Sequence, residues 1–509
     1  MTKNELTKQK GSFERFLDWV ERVGNKLPHP FFLFVYLTIG IMLLSAVLSI
    51  LQVSAINPGS GEEVVVKSLL TREGLEWMLV NALKNFTGFA PLGLVLSMQM
   101  GIGLAEQAGL LSAFMRKTMY GAPLWAISLA VMFVGINGNI ASDASIVIIP
   151  TLAASIYLSL GKNPLVGLMA GYAAACAGFS ANLIIAGTDA LLAGITQEAV
   201  KIIDPSIQVN PSINWYFMFA STIIFTFVGA WITDIRRAPR LGEYKGKIKV
   251  SENQDLTPIE NLALKNTGKA ALIFLAILAA ATLPKNAILR NAETGGLIPS
   301  PFLNGIIPIL MLFFITIGVA YGKTVGTIKT AGDIPKLMAE AVKTMSSYIV
   351  LVFIIGQFVA YFNWTNIGVV IAVKGAEFLQ NVGFTGLPLI IGIILLSTIV
   401  NLFIGSGSAK WSILAPIFVP MLMLLGYSPA MTQVIYRIGD SSTNPITPLF
   451  PYFPIALGLA QYYDEDAGIG TLMSLMLPYA LIFLVVWTLQ LIVWMVLDLP
   501  LGPGAGIYM

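Results

Sequence analysis

Histidine and cysteine are almost absent: the 509 residues hold one of each, His29 and Cys176. A lone cysteine excludes an intrachain disulfide and a cysteine metal cluster. A lone histidine leaves zinc sites, histidine proton relays and Ser-His or Cys-His catalysis without partners. Charge is scarce as well. Asp, Glu, Lys and Arg make up 11% of the chain, against about 25% in soluble domains. The 30 basic and 27 acidic residues nearly cancel to +3, and no basic face stands out that would draw nucleic acid. What fills the chain is apolar: 56% hydrophobic residues and a mean hydropathy of +0.78. Too little polar surface remains to wet a soluble fold, so the chain reads as an integral membrane protein. No cleavable leader is expected, because roughly the first 29 residues are polar and basic and the apolar run after them is long enough to span a bilayer.

A bilayer core takes about 20 apolar residues per helix. Candidate segments fall near 31–53, 77–105, 122–140, 143–160, 163–194, 213–233, 270–284, 302–322, 340–362, 385–404, 411–426, 429–459 and 471–497. Two junctions are too short for a loop outside the membrane: Asn137 to Asp143, and Gly405 to Trp411. Both are rich in small polar residues, which predicts re-entrant hairpins at 122–160 and 385–426 whose tips line a cavity.

The chain also resembles itself. Leu27-Pro-His-Pro-Phe31 pairs with Ile298-Pro-Ser-Pro-Phe302, Ser142 with Ser408, and Asn182 with Asn444 at an offset of 444 − 182 = 262. Each copy, 30–234 and 298–498, reads as four crossings plus one hairpin. A linking crossing at 270–284, after a basic loop at 235–269, makes the total odd and turns the second copy over. The fold class is therefore an all-α polytopic membrane protein of about nine transmembrane helices with two re-entrant hairpins in an inverted-topology repeat, the architecture of secondary transporters. Residues 1–29 form an N-terminal segment and 499–509 a tail. Lysines and arginines crowd the loops that share a side with the N-terminus, above all Arg236, Arg237 and Arg240, so the N-terminus is expected in the cytoplasm.

Ionisable groups at membrane depth are few and are functional suspects: Asp143 and Lys410 near the hairpin tips, Asp189 in the first interrupted helix, and Arg437 with Asp440 in the second. Arg437 and Asp440, three residues apart, share a helix face and could neutralise each other. Alternatively, Arg437 holds a substrate carboxylate and a carboxylate among Asp440, Asp143 and Asp189 carries the coupling ion. Asp189 and Asp143 also have a plainer reading as capping groups. Ser142, Ser406 and Ser408 sit where helix ends begin, with unpaired N–H groups for an anion. Asn182, Ser441, Asn444 and Pro448 mark the helix breaks, and Asp440, Asn444 and Asn182 are the places for a sodium ion. Trp411 suits stacking on an aromatic substrate, or anchoring at an interface. A membrane aspartyl hydrolase built on Asp440 and Asp189 is the enzymatic alternative.

Several long motifs carry a family resemblance: Trp19 to Phe31, Asn85-Phe-Thr-Gly-Phe-Ala-Pro-Leu-Gly93, Ser142-Asp143, Asn214-Trp-Tyr-Phe-Met218, Gly405 to Pro420, and Arg437-Ile-Gly-Asp-Ser-Ser442. Over nearly the whole chain these residues resemble the AbgT family of p-aminobenzoyl-glutamate transporters. The resemblance implies a homodimer of nine-helix subunits in a bacterial inner membrane. It also implies p-aminobenzoyl-glutamate or p-aminobenzoate-type aromatic carboxylates as substrates, with export of sulfonamide antimetabolites in some members. The family's important positions fall on Asp189, Ser408, Trp411, Pro429, Arg437, Asp440 and Pro448. Lys410 departs from a position that can be apolar in the family, which points either to neutralising a nearby carboxylate or to altering the substrate's charge preference. No cofactor is expected. Coupling to the proton motive force is the expectation, with a sodium-coupled importer of a dicarboxylate-like substrate as the alternative.

Overall fold

The computed structural model describes residues 28–56, 61–141, 144–244, 246, 248, 256–298, 300–447 and 450–509. Ser142, Asp143 and Pro448 lie outside them, as does most of the N-terminal segment. The described chain is almost entirely helical, with one short hairpin of β1 (Ser54–Ile56) and β2 (Glu63–Val65).

The first half runs α1 (Pro30–Ile50), α2 (Arg72–Thr87), α3 (Ala90–Gln107), α4 (Leu110–Tyr120), the hairpin limbs α5 (Ile127–Asn137) and α6 (Ala144–Ser159), the interrupted helix α7 (Pro164–Ala177) and α8 (Gly187–Val200), and α9 (Trp215–Trp231). A lone helix, α10 (Pro258–Thr282), follows. The same order then recurs: α11 (Ile306–Val325), α12 (Asp333–Lys343), α13 (Ser346–Trp364), α14 (Ile367–Asn381), the limbs α15 (Gly386–Phe403) and α16 (Gly407–Leu424), the interrupted α17 (Pro429–Thr443) and α18 (Phe453–Tyr463), and α19 (Ile469–Val496).

Packing follows that order. Helix α1 lies on α13 and α11 on α3; α2 lies on α13 and α12 on α3; α16 lies on α8 and α6 on α18; α7 meets α17, and α9 meets α19. Each of these contacts maps onto another, or onto itself, when the halves are exchanged.

Nine helices among the described residues are long and apolar enough to cross a membrane. Seven of them coincide with expected crossings. The other two are the limbs of the second hairpin, Gly386–Phe403 and Gly407–Leu424. The pieces of the interrupted helices are not among the nine, because the polar breaks keep each piece at 15 residues or fewer. The expected span at 77–105 lies inside one apolar stretch, Arg72–Gln107, in which α2 and α3 meet at Gly88 and Phe89. The linking helix starts at Pro258, twelve residues before the expected 270, so Lys265 and Lys269 are helical and not part of a loop. Thr257 and Glu260 cap its start reciprocally, each side chain meeting the other's backbone N–H, and this Thr-x-x-Glu box fixes the boundary.

Close approach between hairpins and broken helices depends on glycine. A methyl at Gly167 in α7 would lie 2.3 Å from the Ala153 carbonyl oxygen of α6, and one at Gly439 in α17 would lie 2.5 Å from the Ile394 carbonyl oxygen of α15.

Residues 501–509 tie down the start of α17. The cap Ser428 donates its N–H to Ile507 O (2.9 Å) and its hydroxyl to Gly506 O (2.6 Å), and its Oγ accepts from Met431 N. Tyr508 packs on Tyr427, while Leu501 and Ile507 are fully buried. Ser428→Ala is expected to cost about 1 kcal/mol through the lost cap. Ile507→Ala is expected to cost about 2–5 kcal/mol through the cavity it leaves. Thermal unfolding of the detergent-solubilised protein reads both.

Candidate functional site

Both helix breaks are held by an asparagine from the neighbouring hairpin. In the first half, Asn139 Nδ2 donates to Phe179 O (2.8 Å) and Ala181 O (3.1 Å). In the second, Asn401 Nδ2 donates to Asp440 O (2.7 Å), Thr443 Oγ1 (2.8 Å) and Asn444 Oδ1 (3.0 Å). Their offset, 401 − 139 = 262, equals that between Asn182 and Asn444. A broken helix frees backbone carbonyls that must find donors when buried, and these amides supply them. Asn401→Ala strands several such groups. A loss of about 1–3 kcal/mol in thermal or denaturant unfolding is the expected result.

Asp189 sits in the first turn of α8, and its Oδ2 accepts from Ala186 N (2.7 Å) and Asn182 Nδ2 (2.6 Å). Its other oxygen, Oδ1, meets Arg437 Nη2 at 2.5 Å. Asp189 is thus both a capping residue and an ion-pair partner. The pair joins the two halves, and the same Nη2 also donates to Ser180 O (3.1 Å). Ser441 Oγ donates to Ser180 Oγ (2.7 Å) beside it. Arg437 is fully buried, and its Nε and Nη1 have no partner among the described residues.

Asp440 pairs elsewhere. Its Oδ1 lies 2.5 Å from Lys410 Nζ and accepts from the Tyr436 hydroxyl (3.1 Å). Lys410 is fully buried and donates to Asn401 Oδ1 as well. The expected neutralisation of Arg437 by Asp440 is therefore corrected. The two share α17, but the nearest opposite charge for each comes from another element. The role proposed for Lys410, neutralising a carboxylate, is what the structure displays.

Trp411 is also repositioned. Its indole stacks on Tyr436 with centroids 4.5 Å apart, donates Nε1 to Thr196 Oγ1 (3.0 Å), and is 1% exposed. It is a buried brace between α16, α8 and α17, with no open face for a substrate ring in this state. Pro429 opens α17 at its first turn, where the missing N–H costs nothing.

A cavity of about 280 Å³ lies where these elements meet. Hairpin residues Gly405 to Ser408, Phe179 of the first break, Thr188 at the start of α8, Asp440, Asn444 and Tyr452 border it. Ser406 caps α16, its Oγ 3.3 Å from Ser408 Oγ. The first N–H groups of α16 have no acceptor within the helix and give this wall a partial positive charge. A methyl at Gly407 would sit 3.2 Å from Asp440 Oδ2, so glycine there lets the helix start approach the carboxylate. Asn182 is turned to Asp189 and does not border this space with Asp440 and Asn444. The three do not form the single sodium site expected. Gln99, Tyr436 and Asn401 are additions that sequence reasoning missed. Gln99 borders the cavity from α3.

Residues 15–509 match the profile of the AbgT transporter family. The chain belongs to this family. It is 48% identical over 486 residues to the p-aminobenzoyl-glutamate transport protein of Escherichia coli K12, covering 96% of each. It superposes on the Alcanivorax borkumensis YdaH transporter with a TM-score of 0.89 at 41% identity, covering 94% of this chain and all of that one. With Neisseria gonorrhoeae MtrF, described among antimetabolite efflux pumps, the TM-score is 0.91 at 43% identity, covering 96% of this chain and all of MtrF. As a member of a transporter family with multiple apolar helices, it is a multi-pass membrane protein and not an enzyme.

Proposed function

We propose that this protein is a secondary active transporter of p-aminobenzoyl-glutamate and p-aminobenzoate-type aromatic carboxylates, driven by the proton motive force. We extend the substrate range to sulfonamide antimetabolites, which share the aminobenzene ring. The observation that carries the reading is the cavity bordered by a hairpin tip and both helix breaks, with a carboxylate in its wall and two buried cations behind it.

A substrate carboxylate suits the N-terminus of α16, where free N–H groups and the Ser406 and Ser408 hydroxyls face the cavity. The ring suits the walls made by Phe179 and Tyr452. Asp440 lies beside that anion position. Its charge is balanced by Lys410; a proton on Asp440 leaves that buried cation unbalanced behind the anion position, so proton and anionic substrate favour each other's binding and travel together. The exchange of packing partners between the halves supports an inverted repeat that exposes this cavity to each side in turn. A homodimer in the bacterial inner membrane, with the N-terminus in the cytoplasm, completes the reading.

Equilibrium binding of radiolabelled p-aminobenzoate to purified protein tests the site. Ser408→Ala is expected to weaken binding about tenfold, the scale of one charge-assisted hydrogen bond. Unchanged affinity in this variant would move the anion position away from the tip of the second hairpin.

A further inference from the structure

A second, larger space of about 830 Å³ lies between the first hairpin and the helices α10 and α11, outside the site described above. Its walls are mostly apolar, with Phe133 from α5, Leu264 from α10, and Phe313 and Phe314 from α11. One end is different. Lys117 of α4 and Lys265 and Asn261 of α10 border it there, and Lys117 Nζ donates to Asn261 Oδ1 (2.9 Å). The nearby Glu260 is taken by Arg116. Among the described residues neither lysine has an ion-pair partner.

The lining residues Asn261, Leu264, Lys265, Gly268 and Ala271 fall on one face of α10. They run from polar and cationic to small and apolar over about 15 Å. That is half of a hydrocarbon core about 30 Å thick, the depth of one leaflet. The other face of α10 carries Ile273 and Ile277, both more than 60% exposed, as on a helix that meets acyl chains. A groove of one-leaflet depth, apolar below and doubly cationic at its mouth, complements an anionic amphiphile of the bilayer.

We propose that this groove binds an anionic phospholipid, with the phosphate between Lys117 and Lys265 and an acyl chain along α10 against Phe133 and Phe313. Its occupant also touches the transport machinery. Asn137 and Gly138 of the first hairpin line the groove, and Asn137 Oδ1 accepts from Leu183 N in the first helix break (3.1 Å). A bound lipid braces the first hairpin against α10 and α11.

Native mass spectrometry of the full chain, extracted from nanodiscs of equimolar phosphatidylglycerol and phosphatidylcholine, tests this. The wild type is expected to retain phosphatidylglycerol over phosphatidylcholine by at least about tenfold, the scale of two lysines near a lipid surface. Lys117→Gln with Lys265→Gln should abolish the preference. A side chain at Gly268 meets open space, so Gly268→Phe should fill the groove and release the lipid, while thermal unfolding of the delipidated protein stays as in the delipidated wild type. Undiminished phosphatidylglycerol retention in both variants would overturn the proposal. So would displacement of the lipid by p-aminobenzoate, which makes the groove a substrate path, or loss of a dimer in Gly268→Phe, which makes it an interface between copies.

Discussion

Arg437→Ala is expected to abolish transport and to destabilise the protein by about 3–5 kcal/mol, the cost of leaving one member of a buried ion pair without its partner. Asp189, 3% exposed in the native protein, would be left with only Ala186 N and Asn182 to hold its charge. Because Asp189 belongs to the first half and Arg437 to the second, the loss acts on how the two broken helices meet. Asp189→Ala with Arg437→Ala removes both charges, and the double variant should regain most of the stability lost by either single change. Transport should not return, since the double variant lacks the guanidinium that holds the two breaks in register beside the cavity. Arg437→Lys keeps the charge but loses the planar fork that reaches Asp189 and Ser180 O together, so a loss of at least about tenfold in uptake is expected. Thermal unfolding and proteoliposome uptake of the four proteins separate a structural from a transport role.

Asp440→Asn is expected to remove proton-coupled transport and to be harder on the fold than Lys410→Met, although the two residues form one pair. The asymmetry comes from exposure. Lys410 is fully buried, so without the carboxylate its charge has only Asn401 Oδ1 and the pair's loss costs about 3–5 kcal/mol. Asp440 borders the cavity, where water can reach it once Lys410 is gone, so Lys410→Met should cost well under that. The double variant Lys410→Met with Asp440→Asn has no buried charge left at this place. It should fold like the wild type, bind substrate, and move it without dependence on a pH gradient. Equal destabilisation by the two single changes, measured by denaturant unfolding, would contradict the burial difference.

The hairpins and helix breaks were legible in the sequence because Gly, Ser, Asn and Pro at membrane depth have few other reasons to be there. The internal offsets exposed the second copy for the same reason. Charge pairing was not legible. Arg437 and Asp440 sit three apart and invited a local pair, whereas Arg437 reaches Asp189, 248 residues away, and Asp440 reaches Lys410 on the facing hairpin. Helix periodicity says which residues share a face but not which element covers that face. Trp411 was misread for a related reason: proximity to a hairpin tip does not reveal that Tyr436 already occupies its ring face. Two misses had a signal. Asn401 lies in an apolar run at the same 262-residue offset from Asn139 that links the two break asparagines, and Thr257-Pro-Ile-Glu260 is a capping box that sets the start of α10. The role of residues 501–509 had none, since backbone carbonyls do the binding at Ser428.

Uptake of radiolabelled p-aminobenzoyl-glutamate into proteoliposomes, with pH and sodium gradients imposed one at a time, decides whether an anionic substrate and a proton share the cavity beside Asp440. An inward proton gradient should drive accumulation in the wild type and fail to do so in Asp440→Asn, and a sodium gradient alone should drive none. Accumulation driven by sodium, or a pH response that survives in Asp440→Asn, would contradict proton coupling at this carboxylate.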